Sequence, residues 1–206
     1  MAYRELAFFG AFNPPTVAHL DLARFAMEKT GAERVLFVPS GERYILRDQG
    51  KDLAYSDAER IAMLRAAAEK RPWMTVIDWE TRRETQPRTY ETLCHLRDEG
   101  YSPALLIGSD KLAEMERAWR YVPEIVREFG IVCLTRGADE CGAMIAASPF
   151  LTALSGGIRV IVTPEKTRDV SSTRARKCVA GIRALREELG ALVPEEILPL
   201  LLKEGR

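Results

Sequence analysis

The sequence predicts a doubly wound α/β fold, a parallel sheet with helices on both faces. Three observations predict it. Short apolar runs that end at glycine, proline or polar residues alternate along the chain with longer amphipathic stretches. The 206 residues, 47% of them apolar, are enough for one sizeable core and would be crowded as two large domains. No internal repeat, low-complexity tract or linker interrupts the alternation, so one domain over residues 1–206 is expected, with a small helical C-terminal part from about residue 171.

The elements follow in order. Leu6-Ala7-Phe8-Phe9 is a strand that ends at Gly10, and after a proline-bearing turn Leu20, Ala23 and Met27 recur at helical spacing within a helix over 17–29. A second buried strand, 35–38, stops at Pro39. The irregular polar segment 40–54 is long enough to mark a binding element. Ser56-Asp57-Ala58-Glu59 has the form of a capping box, in which serine and glutamate each satisfy an amide at a helix start, so a helix to about residue 71 follows. Strands are expected at 74–78, 104–108, 131–135 and 159–162, and helices at 89–99 and 122–129. Residues 137–157 are weakly periodic and small, which predicts a loop with one short helix. Residues 172–180, 182–189 and 195–203 read as helices. The pattern as a whole is a Rossmann-like parallel sheet.

Charge and cysteine content narrow the function. Thirty acidic and thirty basic residues balance, so no global field draws duplex nucleic acid or an anionic membrane, and any anion site is local. The N-terminus lacks a long apolar region, and no apolar run approaches the roughly 18 to 20 residues that cross a bilayer. A cytoplasmic protein with reduced thiols is expected. Cys94, Cys133, Cys141 and Cys178 are widely spaced, and only His19 and His95 could join them, so no protein metal site is expected. Several apolar helix faces leave room for a homo-oligomer.

Two motifs carry chemistry. In an open parallel sheet, ligands collect at the carboxyl ends of strands, and phosphates favour helix N-termini, where free amides and the helix dipole point. The loop after the first strand reads Gly10-Ala11-Phe12-Asn13-Pro14-Pro15-Thr16-Val17-Ala18-His19. Glycine permits close approach of backbone to phosphate, the prolines stiffen the turn, and Thr16 and His19 lie three apart on one helix face. The second motif, Val170-Ser171-Ser172-Thr173-Arg174-Ala175-Arg176, lies between the last strand and a helix. Its hydroxyls suit helix capping, and an arginine one turn later can reach an anion held there.

Together these motifs resemble the paired signatures of the nucleotidyltransferase superfamily, here in a Thr-x-x-His variant with Ala18 where glycine is common. Leu106-Ile107-Gly108-Ser109-Asp110 is similar to the Gly-Ala-Asp segment of the nicotinamide and nicotinate mononucleotide adenylyltransferases, with serine in place of alanine. Pro87-Arg88-Thr89-Tyr90-Glu91-Thr92-Leu93 resembles their Ser-Tyr-Thr-x-x-Thr-Leu segment, with Arg88 where tyrosine is usual. Val38 to Tyr44 and Phe129 to Arg136 resemble the eukaryotic type.

The resemblance implies a division of residues. Gly10, Ala11, Phe12, His19, Gly108, Asp110, Arg136, Ser171, Ser172, Thr173 and Arg176 would bind ATP. Asn13, Trp79, Thr89, Trp119, Arg47 and Lys51 would serve the mononucleotide. His19, Thr16 and Arg176 would act in catalysis. The implied reaction is attack of a mononucleotide phosphate oxygen on the α-phosphorus of ATP, with Mg²⁺ accompanying ATP and pyrophosphate leaving. ATP and a pyridine mononucleotide are the implied partners. Two other readings stay open at this point: transfer to another phosphorylated acceptor such as phosphopantetheine, or a non-catalytic nucleotide-binding domain.

Overall fold

A computed structural model describes residues 3–48, 50, 53–135, 141–163, 171–180 and 183–202. Strands β1 (Glu5–Gly10), β2 (Arg34–Pro39), β3 (Met74–Val76), β4 (Pro103–Gly108), β5 (Ile131–Leu134) and β6 (Ile158–Ile161) form one sheet in the order β3-β2-β1-β4-β5-β6. The pairs β1/β4, β4/β5 and β5/β6 are parallel. Strand order reverses at β1/β4, the switch point at which doubly wound sheets gather ligands. Ala7 is level with Leu105 and Phe8 with Leu106 there. The expected fold class is therefore the observed one. The central strands are nearly continuous apolar runs because helices cover both faces, so period-two alternation has no reason to appear.

Contacts divide the chain into two compact units that interleave in sequence. The first comprises Met1–Phe9, Leu22–Leu36 and Pro87–Arg168, and the second Gly10–Asp21, Phe37–Gln86 and Asp169–Arg206. In the first, helix α3 (Thr89–Asp98) precedes β4, and α4 (Ser109–Ala118) and α5 (Val122–Glu128) separate β4 from β5. Leu93, Leu96, Leu112, Met115 and Ile125 are buried, as are Leu105, Leu106 and Val132 of the strands, and α3 and α4 pack on β4. A tyrosine ring, Tyr90, meets Tyr121 at 5.3 Å and Phe129 at 6.1 Å, and its hydroxyl donates to the Glu128 carboxylate at 3.1 Å.

In the second unit, α2 (Asp57–Glu69) forms where the capping box places it. The Ser56 hydroxyl accepts from the Glu59 amide, and the Glu59 carboxylate accepts from the Ser56 amide at 2.8 Å. Helix α2 packs on β3 and on the C-terminal turn Glu195–Ile197, with Glu196 holding Arg71 at 3.2 Å and Lys70 at 3.6 Å. Helices α8 (Ser172–Ala180) and α9 (Arg183–Leu192) pack together. The last helical turn is α10 (Leu198–Leu201). Helix α1 (Val17–Thr30) runs one residue past its expected end.

Strand β3 ends at Val76, two residues short of its expected end, and the stretch expected as one helix from 195 divides into the 3₁₀ turn Glu195–Ile197 and α10. Three further stretches differ from expectation. Residues 109–118 form α4, which was not expected because Leu112 and Met115 are its only large apolar residues; both are fully buried, and a single i, i+3 pair is enough against the sheet. Within 137–157, two helices appear rather than one, α6 (Cys141–Ala147) and α7 (Pro149–Leu154), followed by a 3₁₀ turn, Ser155–Gly157. High alanine content supports α6 without amphipathic spacing. The Ser148 hydroxyl then starts α7 by accepting from the Leu151 amide at 3.1 Å, with Pro149 at its first position. The third is in the described part of 40–54, where Tyr44–Asp48 winds into a π-helical turn. Among the described residues, no helix is long and apolar enough to cross a membrane.

Candidate active site

The second unit holds both of the motifs singled out in the sequence, and the structure joins them. The Ser172 hydroxyl donates to the Pro14 carbonyl at 2.8 Å, and Arg176 Nη1 donates to the Asn13 carbonyl at 2.8 Å. Arg176 Nη2 lies 3.2 Å from the Thr173 hydroxyl. Residues about 160 positions apart in sequence thus form one constellation, with a helix start, two hydroxyls and a guanidinium set against the loop after β1. The Ser171 hydroxyl accepts from the Arg174 amide at 3.2 Å, so it caps α8. Thr173 is exposed and Ser172 and Arg176 half-buried, which leaves them within reach of a solvent-borne anion.

The loop itself is packed from beneath by an aromatic. Phe12 is 1% exposed and has left-handed backbone, φ 46°, an uncommon conformation for a bulky residue. Its ring meets His19 edge-on at 5.2 Å and Phe37 at 5.5 Å. A Cβ on Gly10 would stand 3.1 Å from Phe12 Cζ, so the glycine makes room for this ring. The Asn13-Pro14 peptide is cis. Asn13 is buried, and its Oδ1 accepts from the amides of Ala54 and Tyr55, both at 3.2 Å. That oxygen therefore fastens the loop to the segment before α2.

Thr16 is fully buried at the start of α1 and fixes His19 from two sides. Its backbone amide donates to His19 Nδ1 at 3.0 Å, and its hydroxyl lies 2.7 Å from the same nitrogen. A backbone amide can only donate, so Nδ1 is the acceptor and the ring proton of neutral His19 sits on Nε2. The imidazole is thereby set up as an Nε2–H donor.

Arg60 was not singled out by sequence, yet it lies at the base of the loop. Its side chain is fully buried in α2, and it donates to the Ala11 carbonyl at 2.5 Å, to the Ser40 carbonyl at 2.6 Å and to the Asp57 carboxylate. Burial pulls its guanidinium below the ordinary value, and the Asp57 carboxylate pulls it back up. The signal was available. Arg60 shares the helix face of Met63, Leu64 and Ala67, all buried, so an arginine occupies an apolar stripe.

Other expected positions are placed as follows. Trp79 is half-buried, with the Arg83 guanidinium 4.2 Å from its ring centroid, so a cation covers one ring face. Arg47 is exposed on the π-helical turn. Beside these, a cavity of about 260 Å³ is lined by Gly41, Tyr44, Asp57, Glu80, Arg83 and Gln86, among others. In the first unit, Thr89 opens α3 and is half-buried, Trp119 follows α4, and Gly108 ends β4 with Asp110 in the first turn of α4. A Cβ on Gly108 would lie 2.7 Å from Asp110 Oδ1, so the carboxylate folds back over that glycine. Arg136 and Lys51 lie outside the described residues.

A loop after β1 with an oriented imidazole, joined to a hydroxyl-rich helix start bearing arginine, is an arrangement suited to holding phosphate groups in an α/β protein. Comparison with known proteins resolves the class further. Residues 7–178 match the cytidylyltransferase-like family. The chain is 32% identical over 180 residues, covering 86% of each chain, to the "Probable nicotinate-nucleotide adenylyltransferase" of Roseiflexus sp. (strain RS-1). It is 31% identical to the protein of the same name from Symbiobacterium thermophilum, covering 91% of this chain and 87% of that one. A Plasmodium falciparum nicotinic acid mononucleotide adenylyltransferase complexed with NaAD shares the fold, with a TM-score of 0.75 at 17% identity, covering 97% of this chain and 94% of the other. The chain belongs to the cytidylyltransferase-like family, and within it to the nicotinamide and nicotinate mononucleotide adenylyltransferases; it is a nucleotidyltransferase.

Proposed function

We propose that the protein transfers the adenylyl group of ATP to the 5′-phosphate of nicotinamide or nicotinate mononucleotide, forming NAD or its deamido form in NAD biosynthesis. The observation that carries this reading is the junction of the two phosphate motifs through Ser172 to Pro14 and Arg176 to Asn13. An acceptor phosphate oxygen bonds to the α-phosphorus of ATP as the bond to the β-phosphate oxygen breaks, and the electron pair leaves with pyrophosphate. No protein nucleophile is needed, so the enzyme's work is positioning and charge neutralisation.

His19 Nε2–H donates to an α-phosphate oxygen, and Thr16 holds that imidazole in orientation. Arg176, with Ser171, Ser172 and Thr173, holds the leaving pyrophosphate. Gly10, Ala11, Phe12, Gly108, Asp110 and Arg136 complete the ATP side; Asn13, Arg47, Lys51, Trp79, Thr89 and Trp119 serve the mononucleotide. Mg²⁺ would accompany ATP as part of the substrate, where it would offset phosphate charge. The reaction runs in the cytoplasm.

A coupled assay with ATP, Mg²⁺ and each pyridine mononucleotide tests the reading. Dinucleotide and pyrophosphate are expected in equal amounts. Pyrophosphate release with phosphopantetheine alone would transfer the assignment to another acceptor, and none with any phosphorylated acceptor would leave a non-catalytic nucleotide-binding domain.

A further inference from the structure

Arg60 is the largest fully buried side chain among the described residues, and it lies in neither phosphate motif. Burying a guanidinium is costly, and an apolar side chain of similar volume would fill the same space without that cost. Packing therefore does not explain a charged fork here. What the fork does is join separate pieces of chain. It holds the Ala11 carbonyl in the loop after β1, the Ser40 carbonyl where β2 gives way to the 40–54 segment, and Asp57 in the first turn of its own helix. Asp57 Oδ1 also accepts from the Glu42 amide at 2.9 Å. The start of α2 does not depend on this fork, because Ser56 and Glu59 cap it independently.

We propose that Arg60 is a positioning residue for adenylyl transfer, locking the phosphate-holding loop at Ala11 to the Ser40–Glu42 backbone that leads into the mononucleotide-side segment. The inference rests on the adenylyltransferase reading and deepens it. Planar, bidentate geometry is what the task requires, since two carbonyls on different segments must be held at fixed separation by one rigid group. Loss of the fork removes no side chain that the proposed reaction sets against phosphate but lets the two holders shift relative to each other. Such a shift lowers turnover more than it weakens binding of either substrate.

The test compares wild type, Arg60→Ala and Asp57→Asn in the dinucleotide assay, with far-UV circular dichroism and a melting curve for each. Folded Arg60→Ala is expected to lose about a hundredfold in kcat, with the KM values for ATP and mononucleotide changing about threefold or less. Millimolar guanidinium, but not urea, is expected to restore part of that kcat, because only the cation can refill the fork. A folded Arg60→Ala enzyme with kcat near wild type, or with no guanidinium-specific recovery, overturns the proposal. Should Arg60→Ala fail to fold, Asp57→Asn decides. It keeps the capping box but weakens the ionic partner of Arg60, and about a fivefold loss of kcat is expected, whereas wild-type kinetics overturn the proposal. Absence of dinucleotide from the wild type would remove the underlying reading and the proposal together; an active wild type beside unaffected variants removes the proposal alone.

Discussion

The Thr16 hydroxyl lies 2.7 Å from His19 Nδ1, and the Thr16 backbone amide reaches the same nitrogen at 3.0 Å. One residue therefore sets both the rotamer and the tautomer of the imidazole. In the Thr-x-x-His form of the motif, threonine takes the part of an orienting group, and under the proposed reaction Nε2–H is the donor that would face substrate. Removal of His19 deletes the donor itself, so His19→Ala is expected to lower kcat by about 10²- to 10³-fold. Thr16→Val leaves the backbone amide in place and is expected to cost only about two- to tenfold. Steady-state kinetics on both variants check the ranking, and equal losses would assign the hydroxyl a direct part in the chemistry.

Arg176 binds the Asn13 carbonyl and the Thr173 hydroxyl with separate nitrogens. Lysine cannot reproduce that fork. Arg176→Ala is expected to raise the KM for ATP by about tenfold or more, with Arg176→Lys intermediate and the mononucleotide KM little changed. An unaltered ATP affinity by calorimetry would remove Arg176 from the phosphate grip.

The sequence was most legible where chemistry is local. The capping box at Ser56 and Glu59 and the strand ends at Gly10 and Gly108 read directly, because a cap or a strand stop is decided by neighbouring residues. Both motifs stand out in the sequence too, but the bonds that join them, Ser172 to Pro14 and Arg176 to Asn13, belong to tertiary structure. Arg60 was overlooked because an arginine is ordinarily a surface residue; the apolar companions Met63 and Leu64 were the available clue. Gly10 reads in the sequence as a place for close approach of phosphate, and its missing Cβ also accommodates the Phe12 ring, a relation set by one left-handed residue that no spacing announces.

Asn13 shows a structural task inside a functional motif. Its side-chain oxygen accepts from the Ala54 and Tyr55 amides, which are left without that acceptor in Asn13→Ala. A loss of about 1–3 kcal/mol in stability is expected, chiefly from the buried Tyr55 amide that loses its acceptor. Asn13→Asp retains an acceptor oxygen and is expected to melt closer to wild type. Identical melting curves for wild type and Asn13→Ala would show that the two amides find other partners.

Glu196 offers a test of stability against pH. Its Oε1 holds Arg71 at 3.2 Å and Lys70 at 3.6 Å, linking the C-terminal turn to the end of α2. Burial pushes this carboxyl up, but the amide of its own backbone and the Arg71 charge outweigh burial and hold it below 4.5. A carboxyl depressed in the folded state binds protons more readily when unfolded, so its stabilisation is fully present above about pH 4.5 and is lost as pH falls through the folded value. Glu196→Gln removes the charge at every pH. The variant is therefore expected to melt below wild type at pH 7, by an amount corresponding to about 1 kcal/mol, and the gap is expected to close under acid. Melting curves across pH 3 to 7 read this directly. A gap that persists unchanged at low pH would mean that Glu196 acts through packing and hydrogen bonding alone, with no contribution from its charge.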